Sequence, residues 1–413
     1  MQAFLDSLIR GWGHDPSTWV WTQLIYVAFM GLFSFAVINF AAITAGIFSW
    51  AERRVAGRMQ SRVGPNRAGP GGFYQWIADA VKLLTKEDLV PAEADQFLFR
   101  IAPYFMMVGF ACVFVALPFS HRLVIAEMNV GVFYIIAVTA LIVVGIIMSG
   151  WSSNSKWSLL GAIRSAAQII SYEIPAGMAL MIPVLLSGTL STQGIIRAQG
   201  PWPWEWYIFH DPASFAAFFI YFISALAEGN RTPFDLPEAE SELVSGYNTE
   251  YSGMRFSYFF LVEWGNMWVM SALATTMFLG GWQVPFLPVT DAVDKIAMLS
   301  GGWTVLAELA SIGIFTLKTL FFVFIVMWLR WTLPRIRVDQ MMNMCWKYLV
   351  PVSFAAVIFV AGWMLIIHAV PALDWIMRIA LTAGGAIALV MFWMRTLQNI
   401  KDTGDKFDFT SNW

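Results

Sequence analysis

Apolar positions along the chain gather into nine blocks, at roughly 22–50, 99–119, 130–149, 157–188, 214–229, 254–281, 303–331, 347–369 and 375–395. Each comes close to the twenty residues that a hydrocarbon core requires of a spanning helix, although the fifth is short and the first and fourth overrun. The pattern predicts an all-α polytopic membrane protein. Between the first two blocks lies a long polar loop, 51–98, with turns at Gly64-Pro65, Gly69-Pro70 and Gly71-Gly72. After the turns, Phe73, Ile77, Val81 and Leu84 recur at helical spacing with Asp79 and Lys82 off the stripe. That spacing predicts an amphipathic helix along the membrane surface.

The most informative polar stretch runs from Glu228 to Glu250, between the fifth and sixth blocks. It holds six carboxylates (Glu228, Asp235, Glu238, Glu240, Glu242 and Glu250) against a single cation, Arg231. Asp235-Leu236-Pro237-Glu238 has the form of a capping box, and Gly246 suits a helix stop. A short helix is therefore expected from Leu236 to Ser245, with Leu236, Ala239, Leu243 and Val244 on its apolar side. At 100° per residue Glu240 lands between Leu236 and Val244. A carboxylate there must be paired, neutralised or turned to a wet cavity.

Ionisable residues also interrupt the apolar blocks. Arg164, Gln168 and Tyr172 recur at i, i+4 and i+8 of the fourth, with Glu173 beside them. A charge at the bilayer centre costs roughly 2.5–3.5 kcal/mol on insertion scales, so such groups face a bundle interior and a partner. Pro175 and Pro183 are expected to interrupt the helix beyond Glu173 and free carbonyls there. Glu263 opens the sixth block. Glu308 and Lys318 lie in the seventh, about 15 Å apart along a helix, too far to pair, so Lys318 is expected to need a carboxylate or water from another helix. The set reads as a hydrated charged path suited to proton transfer or electrostatic coupling.

The composition agrees with a membrane class: 58% hydrophobic, 13% charged, mean hydropathy +0.64, with 21 Trp and 34 Phe. The net charge of −2 gives no reason to expect a nucleic-acid partner. Asp6, Arg10 and Asp15 break up the first twenty residues, so no secretory signal is expected. With the N-terminus outside, eighteen of the 25 Lys and Arg fall on the inner side and five on the outer, while Arg164 and Lys318 lie within spans. The positive-inside rule then puts the acidic stretch in the cytoplasm. Cys112 and Cys345 form no CxxC, and all four histidines (His14, His121, His210 and His368) map to the outer side. No phosphate-cradling glycine motif occurs either. No metal site and no redox centre is expected in this chain by itself.

Four segments carry a family resemblance: ERRVAGRMQSRVGPNRAGPGGFYQWIADAVKLLTKE, IRSAAQIISYE, AEGNRTPFDLPEAESELVSGYNTEYSG and LRWTLPRIRVDQMMNMCWK. They resemble the H-type membrane subunit of respiratory complex I, the proton-pumping NADH:quinone oxidoreductase, and its mitochondrial counterpart NADH dehydrogenase subunit 1. The likeness covers residues 20–370. It implies a subunit of that enzyme at the heel of the membrane arm, forming the quinone entrance and part of the quinone chamber. Ubiquinone or menaquinone would be the substrate, with FMN, iron–sulfur clusters and NADH held by partner subunits. The implied partners are peripheral-arm quinone-site and iron–sulfur subunits, small membrane subunits and antiporter-like subunits, together with lipid.

Carried over by motif, the resemblance places Glu52, Arg53, Arg62, Phe73, Trp76, Asp79, Lys82 and Arg231 at the quinone entrance. It places Arg164, Glu173, Glu228, Asp235, Glu238, Glu240, Glu242, Glu250 and Lys318 on a coupling path. Residues 1–21 then form an outer segment, 22–369 an eight-helix family domain, and 370–413 an extension with a ninth span that returns the C-terminus to the cytoplasm. Within the extension Gly384-Gly385 is expected to allow close packing on a neighbouring helix. The expected location is a bacterial plasma membrane rather than a mitochondrial one. Two other readings stay open: the homologous subunit of a membrane-bound hydrogenase complex, and a stand-alone cation/proton antiporter. The helix geometry predicts that Glu240→Gln lowers quinone reductase activity more than Glu238→Gln. Equal, normal activity in both variants would remove Glu240 from its apolar flank.

Overall fold

Inside a bilayer every backbone N–H and C=O must be satisfied within the protein, and helices do this segment by segment. The computed structural model describes residues 21–121, 123–236, 244–285 and 301–404, and among these there are helices and turns but no strand. The helices are α1 (Thr22–Met59), α2 (Gln75–Thr85), α3 (Gln96–Ala116), α4 (Gly131–Ser152), α5 (Lys156–Ser187), α6 (Thr192–Ala198), α7 (Pro212–Glu228), α8 (Gly253–Phe278), α9 (Gly301–Thr332), α10 (Val338–Ala369, with a π-helical turn at Met344–Leu349) and α11 (Pro371–Gly404). All nine apolar blocks are helical. Seven of these helices are long and apolar enough to cross a membrane. The other two are α7, with 17 residues, and α8, which places Arg255, Glu263 and Asn266 among its apolar residues.

Helix α8 can carry those polar groups because it is the most enclosed element. Nearly every residue from Gly265 to Phe278 is buried, including Trp268 and Phe278, and α1, α2, α3, α6, α7 and α9 pack around it. The tightest helix pair is α3 with α4. There Gly145 lets the backbones meet: a Cβ on it would stand 3.0 Å from the Met106 nitrogen and 3.1 Å from the Ala102 oxygen. Helix starts follow their caps. The Asp95 carboxylate accepts from the amides of Phe97 and Leu98 to open α3. Asp211 accepts from those of Ala213 and Ser214 to open α7. Burial pushes the Asp211 carboxyl up, but hydrogen bonds from His210 and from the Ser214 hydroxyl and amide outweigh it and hold the group below the usual carboxylate range.

Two expectations change, and a third falls mostly outside the described residues. Helix α5 runs without a break from Lys156 to Ser187, with Pro175 and Pro183 inside it. The carbonyl that Pro175 cannot serve, that of Ser171, takes the Cys345 thiol of α10 at 3.1 Å, so a neighbouring side chain replaces the lost bond. Within this chain Gly385 lies against the Phe209 ring of the short 3-10 helix Tyr207–Phe209 rather than against a long helix, and a Cβ on Gly384 would meet nothing within 4 Å. Helix α11 is held at its start by Arg378–Asp374 (2.8 Å) and His210–Asp374 (3.8 Å), and none of its described residues is fully buried. Most of the helix expected at 236–245 lies outside the described residues. Val244, expected on its apolar side, has φ +66 and is 62% exposed.

The α3–α4 contact generates a prediction. Gly145→Val forces a side chain into the Met106 backbone and should cost about 1–3 kcal/mol, seen as a lower melting temperature of the detergent-solubilised protein. Unchanged melting would mean that the two helices separate without cost.

Candidate functional site

At the inner end of the bundle the chain leaves α7 at Glu228 and turns through Gly229 and Asn230, the latter in the left-handed region at φ +50. This turn drives the Arg231 side chain inward, where it is wholly buried. One guanidinium nitrogen lies 3.3 Å from Glu52 of α1 and another 3.2 Å from Glu263 of α8, with the Trp264 ring 4.9 Å from its carbon. Arg330 of α9 completes the group at 2.6 Å from Glu52. Two carboxylates thus face two guanidiniums contributed by three helices and a loop. A buried ion pair gains little net stability, but removing one partner strands a charge.

The chain on either side of Arg231, from Ala227 to Asp235, is held at several points. Gln168 of α5 donates to the carbonyls of Ala227 and Phe234, both at 2.7 Å, and to the Asn230 side chain at 3.2 Å. Arg335 lies 3.8 Å from Asp235, and the Ile336 amide donates to the Pro233 carbonyl. Tyr172 donates to the Met341 carbonyl at 2.9 Å, tying α5 to α10. Arg164 is half-buried one turn before Gln168, and Glu250 is half-buried just before α8. Glu238, Glu240 and Glu242 lie outside the described residues.

The first-loop residues form a second group on α1 and α2. Arg53 bonds Asp79 at 2.5 Å, and Gln75 steadies the same carboxylate. Phe73 meets Trp50 edge-on, while the Trp76 ring lies against Gly46. Arg62 bonds Gln60, and Lys82 is exposed. Ile77, Val81 and Leu84 point away from the bundle, as an apolar stripe meant for lipid or a partner requires.

Deeper in the bundle, α4, α5, α7 and α8 enclose a cavity lined by Glu173, Glu228, Tyr221, Asn266 and Thr139 among apolar side chains. It offers about 30 Å³ to water centres, whereas one water needs about 10–15 Å³. Two carboxylates, a phenol and an amide around such a space can pass a proton through water. Lys318 is held elsewhere. Its ammonium donates to the carbonyls of Leu279 (2.7 Å), Gly281 (3.1 Å) and Gln283 (3.0 Å) just past the end of α8. In place of the expected carboxylate, the carbonyl-rich terminus of a helix meets it. Glu308 bonds the Ser120 hydroxyl.

From the residues alone Arg231 was only the lone cation of the acidic run, and Glu52 entered through the family resemblance; neither they nor Glu263 were given a partner, and Arg330 was counted only as one of the inner-side cations. A lone cation in an acidic run was the available signal that Arg231 must bridge something. Its burial yields a prediction. Arg231→Met strands Glu263 and should cost about 3–5 kcal/mol, while Arg231→Lys keeps the charge but not the fork that reaches both carboxylates. Melting temperature should fall in the order wild type, Lys, Met. A Met variant as stable as wild type would show that the cluster does not hold the inner end together.

A family model for NADH dehydrogenase matches residues 32–361. An NADH-quinone oxidoreductase subunit of Anaeromyxobacter dehalogenans is 55% identical over 414 residues, covering 99% of this chain and all of that protein, so α11 has a counterpart there. An NADH-quinone oxidoreductase subunit of Chlorobaculum parvum is 46% identical over 85% of this chain and 99% of its own length. The NADH-quinone oxidoreductase subunit 8 of Rhodothermus marinus is 45% identical over 83% of this chain and 96% of its own. With the ion cluster, the acidic run and the carboxylate cavity all carried on the matched residues, the chain belongs to the NADH dehydrogenase family, among its NADH-quinone oxidoreductase membrane subunits.

Proposed function

We propose that this chain forms the quinone entrance and part of the quinone chamber of a proton-pumping NADH:quinone oxidoreductase, and couples quinone reduction to proton movement. The observation that carries the reading is continuity. Glu228 is the last residue of α7 and lines the cavity; three residues on, Arg231 centres the ion cluster; four further, Asp235 leads into the acidic run. Reducing a quinone to a quinol takes up two electrons and two protons. The charge change beside the acidic loop reaches Glu228 and Glu173 through buried groups, which salt does not screen as it screens exposed charges beyond about 10 Å. Electrons come from partner subunits carrying flavin and iron–sulfur clusters.

Arg53, Asp79, Phe73 and Trp76 fix α2 against α1, and the outward stripe of α2 borders the path by which a lipid-soluble quinone arrives. Arg62 and Lys82 present positive charge at the same rim. The acidic loop and 51–98 then face peripheral-arm subunits, and the remaining membrane subunits dock laterally. The location is a bacterial plasma membrane, with the N-terminus outside and the C-terminus in the cytoplasm.

Gentle detergent extraction of a tagged chain tests the reading. Flavin, iron–sulfur subunits and inhibitor-sensitive NADH:quinone activity should co-purify. Hydrogenase partners without quinone reduction, or a chain that emerges alone, would overturn it. Within the active complex, Glu228→Gln and Glu173→Gln should each lower proton translocation in reconstituted vesicles at least several-fold while the complex assembles. Wild-type translocation in both would remove the cavity from the path.

A further inference from the structure

We propose that Lys318 is a fixed cation that keeps its proton throughout turnover and holds the unwound end of α8 against α9, making it a positioning residue rather than a member of the proton path. The proposal deepens the function proposed above and rests on it. Helix α8 ends at Phe278, within the protein, and Gly280 (φ +68) and Gly281 (φ +49) turn the chain back. The terminus of a helix leaves carbonyls unserved and gathers negative dipole. Here the carbonyls of Leu279, Gly281 and Gln283 converge on one ammonium.

The match is three donors to three acceptors. An ammonium has three N–H groups, whereas a neutral amine has two and a lone pair, which would face the third carbonyl oxygen. The Trp206 ring lies over the nitrogen at 4.4 Å and favours a cation there. None of these four neighbours can take a proton onward, since peptide carbonyls and an indole face are not bases at working pH. The surrounding side-chain amides keep the loop in place. The Gln199 oxygen accepts from the Gly280 amide at 2.9 Å, and its nitrogen donates to the Thr276 carbonyl at 3.1 Å. Gln283 donates to the Ile196 carbonyl at 2.6 Å, and the Trp282 indole donates to Gln193 at 3.1 Å. Non-helical backbone is tolerated at membrane depth only where protein satisfies it in this way.

The test uses the whole complex in sealed membrane vesicles, reading protons translocated per NADH oxidised. A guanidinium cannot give up its proton, so Lys318→Arg separates the two roles. Lys318→Arg should keep the wild-type ratio, and Lys318→Met should lower the amount of assembled complex several-fold. A Lys318→Arg complex that reduces quinone at the wild-type rate with a reduced ratio would overturn the proposal. So would a Lys318→Met complex that assembles at the wild-type level. Should neither variant assemble, the wild-type complex decides: formaldehyde and borane methylate only an unprotonated amine. Lys318 should remain unmodified by mass spectrometry during turnover, and turnover-dependent methylation would overturn the proposal. Wild-type vesicles that lack NADH:quinone activity would instead sink the function proposed above and leave Lys318 to be judged by the labelling and the Lys318→Met assembly yield.

Discussion

A guanidinium with no access to solvent can exist only where carboxylates come to meet it, and Arg231 makes that demand of the inner end of the bundle. Glu52 on α1, Glu263 on α8 and, through Glu52, Arg330 on α9 take their places around it. Any rearrangement that moved one helix away would leave a charge in a low-dielectric interior. The same turn that buries Arg231 fixes where α7 ends, and hence where Glu228 meets the cavity. Stability and the proposed coupling thus share one set of atoms, so charge introduced near the acidic loop acts on a rigid rather than a yielding frame.

Helix α8 carries this arrangement through the membrane. Its surroundings change from ions at Glu263, to a cavity at Asn266, to a carbonyl cage beyond Phe278. A lipid-facing helix with that polar content would be costly to insert, and α8 avoids the cost because other helices enclose it. On the reading proposed above, carboxylates that share a water-sized space exchange protons, whereas Lys318, whose three donors end on peptide carbonyls, keeps its own. On this view the proton path and the fixed charge are separate parts of one bundle.

Much of the architecture was legible because hydrocarbon imposes a length and a polarity on each span. The nine long apolar helices could be read from block length, and α2 from the stripe Ile77, Val81 and Leu84, although Phe73, expected on that stripe, precedes the helix and packs on Trp50. Arg231 stood out as the lone cation of an acidic run, whereas Glu52, at the end of a span where charge is ordinary, was marked only by the family resemblance. The errors have local causes. Pro175 was expected to interrupt α5, but a lost backbone bond can be replaced by a thiol from another helix, here Cys345, and no local pattern reveals that donor. Lys318 was expected to meet a carboxylate or water, because the free carbonyls of a helix end carry no signature in side-chain type.

By itself, then, the sequence determined where the long apolar helices lie and which residues within them must find polar partners, because those properties follow from composition and period; the short α6 left no such pattern. Only the tertiary structure decided who the partners are. Glu52 and Arg231 are 179 residues apart in the chain, and Lys318 and its three carbonyls 35 to 39. Pairings at such separations are set by which helices lie side by side, and the packing of many surfaces at once, through small residues such as Gly145 and enclosed ones such as Trp268, chooses that arrangement.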